Sequence, residues 1–220
     1  MSDRVRRACL VLLLAAGASA GACFRGTLPA IELYRLETPP PTATTDLARS
    51  DGLALLDGGI AIAAYRAPGI YGDAAIPFRI GETQYGTYPS REWAIPLGVM
   101  LGIATQRALE TRPITTGPAL FDPPSDRFSA YVWRGTIREF EEVNRDAEVW
   151  AAVGLDVQLV RAADDSVLWT GSLRREARVP EGTMPAIIRT LSRLANEGIV
   201  DLAEQARAAV VRGSAAAARR

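Results

Sequence analysis

The chain has 220 residues, of which 48% are hydrophobic, and its 25 basic residues, all Arg, are matched by 25 acidic ones. That apolar content suits one ordinary globular domain rather than a disordered chain, and a formal charge of zero offers no basic excess to neutralise a phosphate backbone, which argues against nucleic acid as a partner. There is no His and no Lys, so the usual general base, the usual zinc ligand and lysine-based chemistry are missing, and composition points away from an enzyme.

The first residues read as an export signal. Arg4, Arg6 and Arg7 give a positive start, Leu10 to Ala16 form an apolar core, and Gly17 to Ala22 are small residues of a cleavage zone. The uncharged stretch is short for a spanning helix, although an uncleaved N-terminal anchor is the alternative. Ala20-Gly21-Ala22-Cys23 resembles a bacterial lipobox, with Ala20 where Leu is usual. On that reading residues 1–22 are a lipoprotein-type signal peptide and Cys23 becomes the acylated N-terminus. The alternative is an ordinary small residue after a conventional signal peptidase site. Removing the signal leaves Cys23 as the one thiol, so no intrachain disulfide forms. It also leaves 22 Arg and 24 acids, so covalent lipid, not a basic patch, would hold the chain at a membrane.

Residues 23–30 read as a lipidated tether, and residues 31–212 as a single domain. Ile31 to Glu37 alternates as a first strand that Pro39-Pro40-Pro41 ends. Thr42 to Gly52 reads as a polar loop, Ile60 to Tyr65 as a second strand, and Ile76–Ile80 with Thr83–Thr87 as a hairpin turning at Gly81-Glu82. The spacing of Trp93, Leu97, Met100, Leu101, Ala104 and Ala108 predicts a helix starting near Trp93, with Ser90 as its cap and Arg112-Pro113 as its end. Pro118 to Asp126 reads as a second loop.

Three long strands follow, over Arg127–Glu142, Ala147–Arg161 and Ser166–Val179, joined by turns at Asn144-Arg145-Asp146 and Ala162–Asp165. Trp133 and Ile137, the row Val149, Ala151, Val153, Leu155, Val157 and Leu159, and Val167, Trp169 and Leu173 are expected to face one way. A helix from Met184-Pro185 to about Arg212-Gly213, apolar at Ile187, Ile188, Leu191, Leu194, Ile199 and Leu202, would cover that face. Residues 213–220 are expected to be a disordered tail. The fold class is therefore α+β, a mixed, largely antiparallel sheet with two main helices packed on one face.

Several short motifs stand in an order that resembles the ABC-type transport auxiliary lipoproteins, the family that includes PqiC. These are the lipobox Cys23, Tyr34-Arg35-Leu36, Phe78-Arg79 with Tyr85 and Tyr88 after it, Trp93-Ala94-Ile95-Pro96-Leu97, Phe140-Glu141, and the long final helix. The resemblance implies an outer-membrane lipoprotein facing the periplasm, with no cofactor beyond the covalent lipid on Cys23. It would be the non-catalytic partner of an MCE-domain protein and an ABC permease and ATPase that move phospholipid or other lipid between membranes. A second copy of the chain is a further possible partner. Loops Thr42 to Leu56 and Pro118 to Asp126 are the candidate partner-binding segments, since neither shows a core pattern.

No nucleophile elbow, P-loop, dinucleotide fingerprint, HExxH or paired CxxC occurs. The acidic pairs Glu141-Glu142 and Asp164-Asp165 flank turns and read as solvated, and Arg174 and Arg178 read as a solvated polar face. Two other functions compete with lipid transport: a structural lipoprotein that scaffolds or tethers other envelope proteins, and an exported hydrolase built on two carboxylates.

Overall fold

The three long strands are present and carry the sheet. β6 (Tyr131–Arg145) pairs antiparallel with β7 (Glu148–Arg161), and β7 with β8 (Val167–Arg178). The β6–β7 turn is Asp146-Ala147, with φ of 51° and 60°, the positive pair that a two-residue hairpin turn requires. Ala151, Val153, Leu155, Val157 and Leu159 are at most 2% exposed. The computed structural model describes residues 30–38, 55–123 and 129–217, with side chains as far as Gly213. The signal peptide, Cys23, most of the tether, residues 42–54 and the last three residues of the tail lie outside them.

Two register shifts adjust the expected faces. In β6 the shift lies between Ile137 and Glu139. One extra residue at Arg138 lets the inward set Trp133, Ile137 continue at Phe140 and Glu142. The second shift lies between Leu159 and Val160, which pair with Trp169 and Val167. Trp169 therefore stays inward while Val167 is 51% exposed, against the expectation that both face the core.

The other edge of β6 is shared. β2 (Ile60–Ile62) lies parallel to its beginning, β3 (Ala75–Ile80) lies parallel to its end, and between them Arg66 makes a single bridge to Thr136. β5 (Ala119–Phe121) extends the sheet beyond β2; β4 (Gln84–Trp93) and then β1 (Glu32–Tyr34) extend it beyond β3. The parallel pairings are three positions long, whereas β6–β7 and β7–β8 pair antiparallel along most of their length. Among the described residues the sheet has eight strands.

α1 (Leu97–Thr111) begins later than expected. Trp93 ends β4 instead, paired with Tyr34; its N–H donates to the Ala74 carbonyl at 2.7 Å, and Ala94 N–H donates to the Tyr34 carbonyl at 2.7 Å. Ser90 lies inside β4 and caps nothing. Pro96 disfavours helical geometry at Ile95, so the helix starts only after it. α1 comes so close to the chain at Tyr65 that a Cβ on Gly98 would lie 2.1 Å from the Tyr65 carbonyl oxygen. α2 (Met184–Ala217) runs past Gly213. One helical Gly costs only about 1 kcal/mol, and the Ala run after it restores the propensity.

Both helices bury their apolar stripes in the core formed by the inward sheet face. Contacts divide the chain at Ile31; Glu32–Arg220 is one unit, and of Met1–Ile31 only residues 30 and 31 are described.

In α2, Ile187, Leu191, Ile199 and Leu202 are at most 2% exposed, each worth about 1.5–3 kcal/mol when fully buried against a total stability of about 5–15 kcal/mol. A chain ending at Val179 is therefore expected to show no cooperative urea or thermal transition, and a sigmoidal melt from it would contradict the assignment of α2 as the cover.

Candidate functional site

The most concentrated polar chemistry lies where β3 meets the end of β6. Phe78 pairs with Glu142 and Arg79 with Val143, so Arg79 shares the outer sheet face with Glu141. Arg79 Nε donates to Glu141 Oε1 at 2.7 Å, and the two side chains are 6% and 0% exposed. Tyr71, in a 3₁₀ turn at Gly69–Gly72, donates its hydroxyl to Glu141 Oε2 at 2.8 Å. Arg79 Nη1 reaches outward to the Gly81 carbonyl at 3.2 Å and to exposed Glu82 at 3.4 Å, and the Tyr85 ring lies 5.9 Å from the guanidinium.

Glu142 points to the opposite, helix-covered face. It accepts from the Tyr88 hydroxyl at 2.6 Å and from Asn144 Nδ2 at 2.7 Å, and Tyr88 packs on Phe78 with ring centroids 4.9 Å apart. Neighbouring carboxylates on opposite faces cannot share a proton or a ligand. Burial first, and then the bond to the carboxylate, push the Tyr71 and Tyr88 phenols well above their ordinary value. Both are protonated donors at neutral pH, and the stability they contribute falls as pH rises above the ordinary phenol value and is lost by the raised ones.

Glu141-Glu142 is thus not the solvated turn pair that adjacency to Asn144-Arg145-Asp146 suggested. β6 continues to Arg145, which leaves both acids inside the strand, and β3 covers its edge. The available signal was Arg79, a charge set in the apolar run Ile76–Ile80. Every oxygen of the two carboxylates accepts from a named donor, so the cluster positions the sheet. Among the described residues no three acids or cysteines are placed to hold a metal.

The motif segments picked out in sequence come together here. Tyr34 pairs with Trp93, Trp93 meets Phe140 edge-on at 5.8 Å, and Phe140 precedes the Glu141 that holds Arg79. The stretch after Tyr34 then crosses onto both helices. Leu36 N–H donates to Met100 Sδ at 3.3 Å, Glu37 N–H to Ser192 Oγ at 2.9 Å, and Asn196 Nδ2 to the Glu37 carbonyl at 2.8 Å. Nothing in the sequence pattern pointed to this strap.

The other expected positions divide. Cys23 and residues 42–54 lie outside the described residues. Leu56 is tied to Thr115 by a bridge and packs against the core. Residues 119–121 of the second loop form β5, with Phe121 against the core and its N–H on Gln106 Oε1 at 2.9 Å, so this stretch supports the fold; residues 124–126 lie outside the description. Asp164 is a turn carboxylate held below its usual range by bonds from the Ser166 hydroxyl and N–H. Arg174 and Arg178 lie on the polar face, paired with Glu139 and Glu148 at 2.9 Å each, while Arg175 turns inward to Glu197 and Asp201 of α2.

Removing one partner of a buried ion pair strands the other, a loss of about 3–5 kcal/mol, whereas an apolar pair of similar volume is often neutral. Urea unfolding of Arg79→Ala is expected to show that loss, with Arg79→Met/Glu141→Leu losing less, because only the Tyr71 hydroxyl is then stranded. A loss below about 1 kcal/mol in the single variant, the scale of an exposed pair, would contradict the assigned role.

No protein-family model and no curated protein matches the sequence. Among solved structures the chain is similar to protein XCC0632 from Xanthomonas campestris, of family DUF330, with a TM-score of 0.66 and 16% identity over 83% of this chain and 98% of that one. It is also similar to an uncharacterised protein, with a TM-score of 0.58 and 12% identity over 80% of this chain and 99% of that one. At these identities the likeness shows a shared fold.

Proposed function

We propose that the chain is an outer-membrane lipoprotein, anchored through acyl chains on Cys23 and facing the periplasm. It serves as the auxiliary, non-catalytic subunit of an ABC/MCE-type system that moves lipid between the membranes. The observation that carries this reading is the meeting in space of the segments shared with auxiliary lipoproteins. Tyr34 lies on Trp93, Trp93 on Phe140, and Arg79 on Glu141, behind a lipobox Cys. The fold likeness to a DUF330 protein supports it, since the PqiC-like lipoproteins are that family.

In this role the protein's work is geometric. Among the described residues no helix is long and apolar enough to cross a membrane; on this reading the acyl chains on Cys23 supply the attachment. One chain gives marginal binding and two or three hold stably. Anchoring raises the local concentration of a docking surface, so that a weak contact with a partner spanning the periplasm suffices. Two strand edges suit such a contact by strand addition. β8 pairs only with β7 among the described strands, and β1 pairs only with β4, with Leu33 64% exposed. Energy from ATP enters at the partner ATPase.

The test is crosslinking in cells, affinity purification of the detergent-solubilised chain and identification of what comes with it. An MCE-domain protein is the expected partner. Recovery of an outer-membrane barrel or peptidoglycan with no MCE-domain protein would replace the transport role by a scaffolding one. Cys23→Ser is expected to remain unprocessed or to leave the membrane fraction, and a processed, membrane-bound Cys23→Ser protein would refute the anchor.

A further inference from the structure

Over most of the outer sheet face each guanidinium has its own carboxylate: Arg79 with Glu141, Arg174 with Glu139, Arg145 with Glu176, Arg178 with Glu148. The balance fails at one place. β2 stops at Ile62 and β3 starts at Ala75, and between them the edge of β6 is met by the Ala63 N–H on the Trp133 carbonyl and by the bridge from Arg66 to Thr136. The notch left there is a groove of about 540 Å³, within the size range of small-ligand sites. Arg66, Arg134 and Arg138 line it, and Asp156 is the one acid among its lining residues.

Against these three guanidiniums stand Asp156 and, outside the groove, Asp165, so one positive charge is left unbalanced. Arg138 is bonded to Asp156. Arg134 reaches out of the groove to Asp165, an exposed carboxylate at 2.8 Å; a pair so solvated exchanges readily. The Arg66 side chain makes no hydrogen bond or ion pair with any described residue, and its backbone is fixed on both sides. Its N–H donates to the Gly135 carbonyl, and its carbonyl accepts from Ile137 N–H, each at 2.8 Å. Ala63 and Ala64, small side chains on the same rim, leave the space in front of it open.

We propose that this groove is a binding site for a phosphate group, as a phosphate monoester or diester, held by Arg66 with Arg134 and Arg138. The guanidinium fork matches the oxygens of phosphate in a bidentate way. A tetrahedral anion presents enough oxygens for two or three forks at once, which a halide does not. A concave wall also concentrates the field of the unbalanced charge. The phosphate can be the headgroup of a lipid or a soluble ester, and the site stands or falls independently of which partner co-purifies with the chain.

The test labels the full-length chain, in non-ionic detergent, with phenylglyoxal and follows the peptide bearing Arg66 by mass spectrometry. Inorganic phosphate and a short-chain phosphatidylglycerol are compared with sodium chloride at matched ionic strength. Phosphate or the phospholipid is expected to slow labelling of Arg66 and to leave that of Arg178 unchanged. Tighter protection by the phospholipid assigns a lipid headgroup, and equal or tighter protection by phosphate assigns a soluble ester. Calorimetric affinity for the protecting compound is expected to fall at least about tenfold in Arg66→Gln, the scale of one lost charge-assisted bond, with the melting temperature unchanged. Protection equal to that of chloride, no protection at all, or an unaltered affinity in Arg66→Gln overturns the site.

Discussion

Burying Arg79 against Glu141 is the constraint on which the rest of the sheet depends. Taking two charges out of water is costly unless geometry and additional hydrogen bonds repay it, and here Tyr71 and the Gly81 carbonyl complete the shell. The parallel contact between β3 and β6 is only three positions long, too short to define its own register by backbone bonding. A slip of one residue would turn Arg79 toward the apolar core and leave Glu141 alone. The pair therefore fixes the register, and with it the β3–β4 hairpin and the seat of Trp93 on Phe140. Where β4 ends decides where α1 begins.

The strands whose side chains alternate cleanly were readable from the sequence, and so were both helices and their buried stripes. Wherever partners distant in the chain decide, local pattern failed. Trp93 fits a helical period, but Tyr34 and Ala74 claim its backbone for a strand. Glu141 and Glu142 look solvated until β3 is laid beside them. Val167 lies past a register shift, where a one-residue change of parity moves a side chain from one face to the other. The stretch at Ala119–Phe121 lacks a core pattern of its own because it is three residues long and draws its burial from α1 and β2. Tyr34, Trp93, Phe140 and Arg79, far apart along the chain, come together around the Glu141 end of β6.

The two faces of the sheet do different work. The inner face is apolar and closed by α1 and α2, and the strap at Leu36 and Glu37 ties the chain that follows β1 to both helices. Away from the buried Arg79–Glu141 pair, the outer face carries exposed ion pairs, each of small worth to stability, and suited to reversible contact. Its charge is balanced near β8 and unbalanced at the notch beside Arg66.

The anchor on Cys23 is the claim on which the envelope role rests, and the intact mass of the mature protein, purified from membranes in detergent, tests it most directly. The expected species begins at Cys23 and carries a diacylglyceryl group on the thiol and a further acyl chain on the new amine. A membrane-purified protein with an unmodified Cys23, or one whose N-terminus lies elsewhere, would contradict it.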